Sequence, residues 1–548
     1  MKKIMYLFLC SIGLFYLPVA NGQAISNDNL EAKIDALIPK QINDTTPGLV
    51  VGVVHKGKLI INKGYGLANL SYGIPNDSKM VYNLGSVSKQ FLGYAFAMLH
   101  VKGVLNIDDP VTKYLENWPD FEHTVTLRHL LSHTSGYREA YTMSELAGRI
   151  IGVDRLSREE CLNVVRKQPQ LEFIPGSHWT YNSTAWVILA EVLEKITGQP
   201  ADEWVEENIL RPLDMNDTQI ESYVGEVIHH VAESYSYEKE KGYTNEESNR
   251  AIFGAAEVYS SIDDLVKWIN NYRTAAVGGS AVNKLFLDPF ILNNGSNSEY
   301  ALGIQNGSYR GLKRYRHTGG HEAFVTQISY YPEQDLGIIT ISNFGRKGWI
   351  PSTEIALILL EEYIPTESEK ETALFDIKKK ELKQFEGLFI ASTFNSTLHL
   401  KIAKDTLTID DRTKLIPLSE NTFRVNGGDD EIQFTKLSST GGTKLSTSKN
   451  EIYSKVEEWT PTKENLLEFE GNYWSDELET VYNLIVNDGK LSIHHRWLGE
   501  ISLEPVSNDF FKTNDGFYVK FNRNIKDGIS NLSMSSSRTL NVIFNRKE

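Results

Sequence analysis

Two cysteines in 548 residues are too few to staple a fold. Cys10 lies in an apolar N-terminal stretch expected to be removed, and Cys161 then stands alone, so no intramolecular disulfide is expected even in an oxidising compartment. Basic clusters are missing too: the net charge is −15, and no stretch could neutralise a row of phosphates, which excludes nucleic acid as a partner. Beyond the N-terminal stretch no run is long and apolar enough to cross a bilayer, so no stable membrane insertion is expected once that stretch is cleaved. The thirteen histidines include no H-E-x-x-H or similar ligand spacing, and a lone thiolate cannot build a metal site. No metal and no cofactor is implied.

The opening residues, MKKIMYLFLCSIGLFYLPVANGQA, set Lys2 and Lys3 before an apolar stretch broken by Pro18 and followed by the small residues Ala20 and Gly22. That is the pattern of a secretory signal peptide, expected over 1–22, with the mature chain periplasmic or secreted. Leu9, before Cys10, argues against lipid attachment there. An exported chain meets neither ATP nor a pool of reduced cofactors, which favours hydrolysis over energy-dependent chemistry.

At 62.0 kDa the chain is long enough for two to four domains. "GLVVGVVHKGKLIINKGYGLAN" reads as a β-hairpin turning at Lys56-Gly57-Lys58. From Phe91 to about Leu360 helix-length periodic runs dominate; one, "TAWVILAEVLEKITG", ends in a glycine C-cap at Gly198. Strand-like runs return at "FVTQISYYP" and "LGIITISNF", so an α/β fold with a sheet built from both ends of this region is expected. After a charged linker, alternating strands and turns take over. "FEGLF" at Phe385 recurs as "FEGNY" at Phe469, "DTLTI" at Asp405 as "GKLSI" at Gly489, and "PLSENTF" at Pro417 as "PVSNDFF" at Pro505. Two copies of one small all-β, barrel-like module are therefore expected to end the chain. The expected limits are a first domain over 23–365, a linker over 366–384, and modules over 385–460 and 461–548.

In "YNLGSVSKQF" a serine and a lysine stand three apart where a glycine turn gives way to an apolar helical run. Ser86 and Lys89 then share a helix face, a hydroxyl beside an amine able to take its proton. Further on come Tyr181 in "WTYNSTAW" and His317-Thr318-Gly319-Gly320 in "RYRHTGGHEAF". With "VTLRHLLSHTSGY" and "ENILRPLDMNDT", and in this order, these motifs make residues 30 to 365 resemble the serine β-lactamase and penicillin-recognising hydrolase family, in its class C, DD-peptidase and D-aminopeptidase branch.

The resemblance implies a β-lactamase-like antiparallel sheet flanked by helices, with a helical subdomain. It implies that Ser86 is the nucleophile, Lys89 its activating partner and Tyr181 a second proton relay; whether Lys89 or Tyr181 is the acylation base stays open. A serine needs such a base, and a lysine can serve only if burial or nearby positive charge lowers its pKa. His317, Thr318, Gly319 and Gly320 are implied to line the site and give one oxyanion N–H, with Ser86 N–H as the other. The phrase "SHTSG", holding His133 and Ser135, is architectural by the same resemblance.

Two departures matter. The family usually reads Tyr-x-Asn, whereas Ser183 fills the third place here. His317 stands where true β-lactamases mostly have lysine, which disfavours efficient antibiotic hydrolysis. The implied activity is an exported serine hydrolase forming a Ser86 acyl-enzyme on amide or ester bonds of small peptides, including those with D-residues. Esterase and weak β-lactamase activity are alternatives, as is a binding or sensing protein that is acylated without turnover. D-aminopeptidases, with an H-x-G motif and two trailing barrels, are the nearest layout. They imply that the hydrolase region is complete in itself and that a module loop leans over the cleft. Binding of cell-wall material, or mere structural mass, are the other roles open to the modules.

Overall fold

"LVVGVVH" forms β1 (Leu49–His55) because β-branched residues on both faces suit a strand covered on two sides. It turns at Lys56-Gly57 into β2 (Lys58–Tyr65), and the hairpin expected from the sequence is there. The computed structural model describes residues 27–364, 375, 377–426, 430–436, 443–447, 451–524 and 528–547. The expected signal peptide, and 365–374 in and beside the expected linker, lie outside the described residues. No helix among the described residues is long and apolar enough to cross a membrane.

Four strands from much later in the chain complete the main sheet: β3 (Gln305–Tyr309), β4 (Leu312–His321), β5 (Phe324–Tyr331) and β6 (Leu336–Ser342). The order is β3–β4–β5–β6–β1–β2, antiparallel throughout. Alternation sorts the side chains. Leu49, Val51 and Val53 pack with Ile355 and Leu359 of α6 (Ser352–Leu360), while Val50, Ile339 and Ile341 share the main core with Ile262 and Trp268 of α5 (Ile262–Thr274). The helical side of that core is built on α2 (Lys89–Val101) and α4 (Thr184–Thr197), whose Phe91, Trp186 and Ile188 are fully buried. A short helix at Asn27–Asp35, α1, packs beside α6. Between α2 and α4 runs α3 (Ala140–Leu146).

Both trailing modules are closed barrels of eight antiparallel strands, the first from Gly387–Ala391 to Ile452–Val456 and the second from Gly471–Ser475 to Val542–Lys547. The repeated F-E-G phrase has a physical reason in each. Phe385 and Phe469 are buried in their barrel cores, 4.4 Å from Phe434 and 4.5 Å from Phe521 between ring centres. Glu386 and Glu470 accept the N–H of Ile402 and Val486, at 3.0 and 2.7 Å. Gly387 and Gly471, at φ 134° and 146°, open each first strand in a conformation that L side chains rarely adopt.

The second barrel is not detachable mass. Met143 and Leu146 of α3 belong to its core, with Phe469, Tyr473 and Tyr482, and the Tyr482 hydroxyl donates to Leu146 O at 2.8 Å. The resemblance implied a hydrolase region complete without the modules; here α3 presents an apolar face, Met143 and Leu146, that joins the core of the second barrel.

Candidate active site

Gly85 (φ 52°) starts a 3₁₀ turn, Gly85–Ser88, that runs into α2 at Lys89. Ser86 thus stands on a 3₁₀ turn, not on the α-helix expected. At three residues per turn positions i and i+3 eclipse, so the serine and lysine still align. Asn83 fixes the turn from below, its Oδ1 accepting Gly85 N–H at 2.8 Å and its Nδ2 donating to Glu257 at 3.1 Å. Glu257 in turn meets His321 Nε2 at 3.1 Å, which ties the end of β4 to the Ser86 turn through buried groups.

Lys89 Nζ lies 3.2 Å from Ser86 Oγ and donates to Ala255 O at 2.6 Å. The lysine is fully buried. Burial pushes its pKa down, to about 7; the Glu139 carboxylate nearby pulls it up, and the Arg538 guanidinium pushes it down. Its nitrogen lies 5.1 Å from the centre of the Tyr181 ring. The Tyr181 hydroxyl is buried with no hydrogen-bond partner among the described residues; burial raises its pKa while adjacent Ser86 lowers it. His133 lies beside the Tyr181 ring, 4.2 Å between ring centres, its Nδ1 accepting Asn182 N–H at 3.0 Å. That places the SHTSG loop as a wall behind Tyr181.

Beyond its pairing with β3, which ends at Arg316, the strand β4 meets the Ser86 turn with its free edge. A Cβ on Gly319 would lie 1.9 Å from Leu84 O and 3.2 Å from Ser86 N, whereas one on Gly320 would meet nothing. Close approach therefore demands glycine at Gly319 and at Gly85, whose Cβ would lie 2.7 Å from Gly320 N, but not at Gly320. Gly319→Ala is expected to lower the rate of Ser86 acylation about 10²-fold, since displacements of about 1 Å at a reacting centre carry that effect. Stopped-flow acylation by an activated ester measures it; a loss under threefold would mean that the edge does not shape the reaction.

His317 is buried and its ring is spent inside the protein: Nδ1 lies 2.7 Å from Thr318 O and Nε2 2.8 Å from the Tyr300 hydroxyl. The carbonyl can only accept, so Nδ1 carries the proton and Nε2 accepts from Tyr300. Burial, then Lys89, lowers its pKa to about 3, which keeps it neutral. Asn182 is structural, its Nδ2 donating to Tyr137 O at 2.6 Å and its Oδ1 accepting Ala185 N–H at 2.7 Å. Ser183, Thr318 and Gly320 face a cleft of about 530 Å³ that also holds Ser86, Tyr181 and Gly319. Lys89 sits behind Ser86. All the residues singled out in the sequence thus meet at one place.

Three further residues join them unannounced. Glu139 is buried, accepts Ser183 N–H, and has its second oxygen without a hydrogen-bond partner among the described residues. Its neighbour Arg138 reaches into the second barrel. From that barrel Arg538 enters the cleft, its guanidinium carbon 5.1 Å from the centre of the Tyr181 ring. No motif marks them, because each acts through contacts made across distant stretches of chain.

A family model described as Beta-lactamase matches residues 30–360. The chain belongs to the beta-lactamase family. It is 26% identical over 417 residues to Penicillin-binding protein 4* of Bacillus subtilis, covering 69% of this chain and 88% of that one. With a D-aminopeptidase of Cereibacter sphaeroides it shares 26% over 323 residues, 58% of this chain and 60% of the relative. Among solved structures, the octameric penicillin-binding protein homologue from Pyrococcus abyssi superposes with a TM-score of 0.53 at 23% identity, over 78% of this chain and 99% of that one, a likeness of fold alone. This beta-lactamase family member is an enzyme, a serine hydrolase.

Proposed function

We propose that Ser86 is the nucleophile of an acyl-enzyme mechanism, with Lys89 its base and Tyr181 the group that passes the proton to the leaving atom. The observation that carries this reading is the buried Lys89 amine 3.2 Å from Ser86 Oγ. When neutral, it gives one N–H to Ala255 O and keeps a lone pair for the serine proton. The N–H groups of Ser86 and of the β4 edge beside it stabilise the oxyanion. Ser86 Oγ bonds to the substrate carbonyl carbon, the amine or alcohol leaves with the proton, and water then releases the acid and restores the serine.

The substrates of this reading are small peptides or esters, including peptides with D-residues, met outside the cytoplasm after removal of residues 1–22. Ser183, short where the family's asparagine reaches the substrate amide, favours esters as the second reading. The test is steady-state turnover against D-amino acid anilides, D-Ala-D-Ala peptides, p-nitrophenyl esters and a chromogenic cephalosporin. Turnover of the first three classes, with little of the fourth, is expected; a stoichiometric burst without turnover sinks the hydrolase reading in favour of a sensor.

The pH profile follows from Lys89. Its pKa is lowered, so the neutral base is present above about pH 7 and is lost as pH falls below it. On an ester substrate kcat/KM should climb with an apparent pKa near 7 and then level. An ordinary lysine would place that limb near pH 10; finding it there would mean that Lys89 is not the base.

A further inference from the structure

Fixed positive charge is scarce at the floor of the cleft. His317 is neutral and fully engaged, Lys89 is held between Ser86 Oγ and Ala255 O, and Arg250 is paired with Glu322. Arg538 is different. It is exposed, and its guanidinium makes no hydrogen bond and no ion pair among the described residues. The acids whose charge reaches it are Glu139 and Glu145 on the α3 side, and neither is in contact with it.

The loop that carries Arg538 joins the last two strands of the second barrel, Gly528–Ser535 and Val542–Lys547, and is held at both ends. Ser536 N–H donates to Thr539 O at 2.7 Å, Arg538 N–H to Ser536 Oγ at 3.2 Å and Asn541 N–H to Ser535 Oγ at 2.9 Å. From the hydrolase side, Glu139 N–H donates to Thr539 Oγ1, and the buried Arg138 guanidinium to Leu540 O and Asn541 O. The loop that presents the arginine is therefore preformed, so its backbone adds little ordering cost on binding.

We propose that Arg538 is the carboxylate-binding residue of the Ser86 site, so that the second barrel supplies the anion subsite and the substrate is a peptide whose released residue bears a free carboxylate. This rests on the Ser86 acyl-enzyme reading. A guanidinium presents a planar fork that meets a carboxylate with two parallel hydrogen bonds. It lies over Tyr181, the group assigned to protonate the leaving amine, which sets it on the leaving-group side. The geometry thus selects carboxypeptidase polarity: the peptide C–N bond breaks, the acyl group stays on Ser86 Oγ, and the departing amino acid takes the proton on nitrogen with its carboxylate on Arg538. Arg346, also at the cleft wall, is likewise exposed and without a hydrogen bond or ion pair among the described residues, but it stands over no ring of the catalytic set.

The experiment uses the full-length mature chain and measures how well N-acetyl-D-Ala-D-Ala, as the free acid or as the C-terminal amide, protects Ser86 from a fluorophosphonate probe. Wild type is expected to favour the acid at least tenfold. Arg538→Gln should bring the acid-to-amide ratio to within twofold of one, and Arg538→Lys should restore only part of it. The proposal is overturned if wild type shows no preference, if Arg538→Gln keeps it, or if Arg346→Gln rather than Arg538→Gln abolishes it. Absence of labelling in wild type overturns the Ser86 reading instead, and with it this one; labelling without acid preference overturns this one alone.

Discussion

Replacing Ser86 by alanine is expected to abolish covalent labelling by fluorophosphonate or penicillin probes and to leave the melting temperature close to that of the parent. The serine sits in the cleft with Lys89 as its hydrogen-bond partner, so its loss removes one hydroxyl and opens no cavity in the core. The chemical loss is complete because, among the described residues, Ser86 is the cleft hydroxyl hydrogen-bonded to a buried amine. Lys89→Met gives the graded counterpart: the turn and the apolar stem stay, the base goes, and acylation should slow by ~10²–10⁴, the usual worth of general-base assistance. Intact labelling of the Ser86→Ala chain, shown by mass spectrometry on another residue, would move the nucleophile and sink the mechanism. Near-normal acylation by Lys89→Met would transfer the base role to Tyr181.

Much of this candidate site was legible through the short motifs that carry the family resemblance. Ser86 and Lys89 are one turn apart, and His317 to Gly320 are consecutive on one strand, so each motif holds its own internal geometry, while the fold brings them and Tyr181 together. The duplicated barrels were legible for a related reason: each F-E-G phrase does three local jobs, plugging the core, taking one N–H and opening a strand at positive φ. What stayed hidden depends on contacts between distant segments. Glu139 reads as an ordinary charged residue beside Arg138, yet the fold buries it against Ser183. Arg538 lies in a serine-rich loop of the kind that usually faces only solvent. Of the paired glycines, only Gly319 is forced, by a carbonyl on a chain segment far away in sequence.

Arg138 is where that long-range assembly is most exposed to test. Its buried guanidinium donates to Glu172 at 3.1 Å, to Glu477 of the second barrel at 2.7 and 3.0 Å, and to Leu540 O at the base of the Arg538 loop. Glu172 is fully buried and Glu477 nearly so. Arg138→Met keeps the apolar stem and removes the cation these two carboxyl groups share, so buried polar groups lose their partner, a loss of about 3–5 kcal/mol. The loss must depend on pH, and its sign is fixed. Burial raises the Glu172 pKa while Arg138 lowers it, so without Arg138 the value climbs further. A carboxyl whose folded pKa is raised takes up a proton in the folded state, and the stability this gives is lost as pH rises through that pKa. Wild-type Glu172 titrates near 8, so the variant should lie closer to wild type at pH 7 than at pH 9 in denaturant midpoint, and Glu172→Gln added to it should recover part of the loss at pH 9. Its Arg538 loop, released from one anchor, should also discriminate less between acid and amide ligands. A variant that loses less than about 1 kcal/mol, equally at both pH values, would show that the two domains are held together by the apolar face of α3 and not by this cluster.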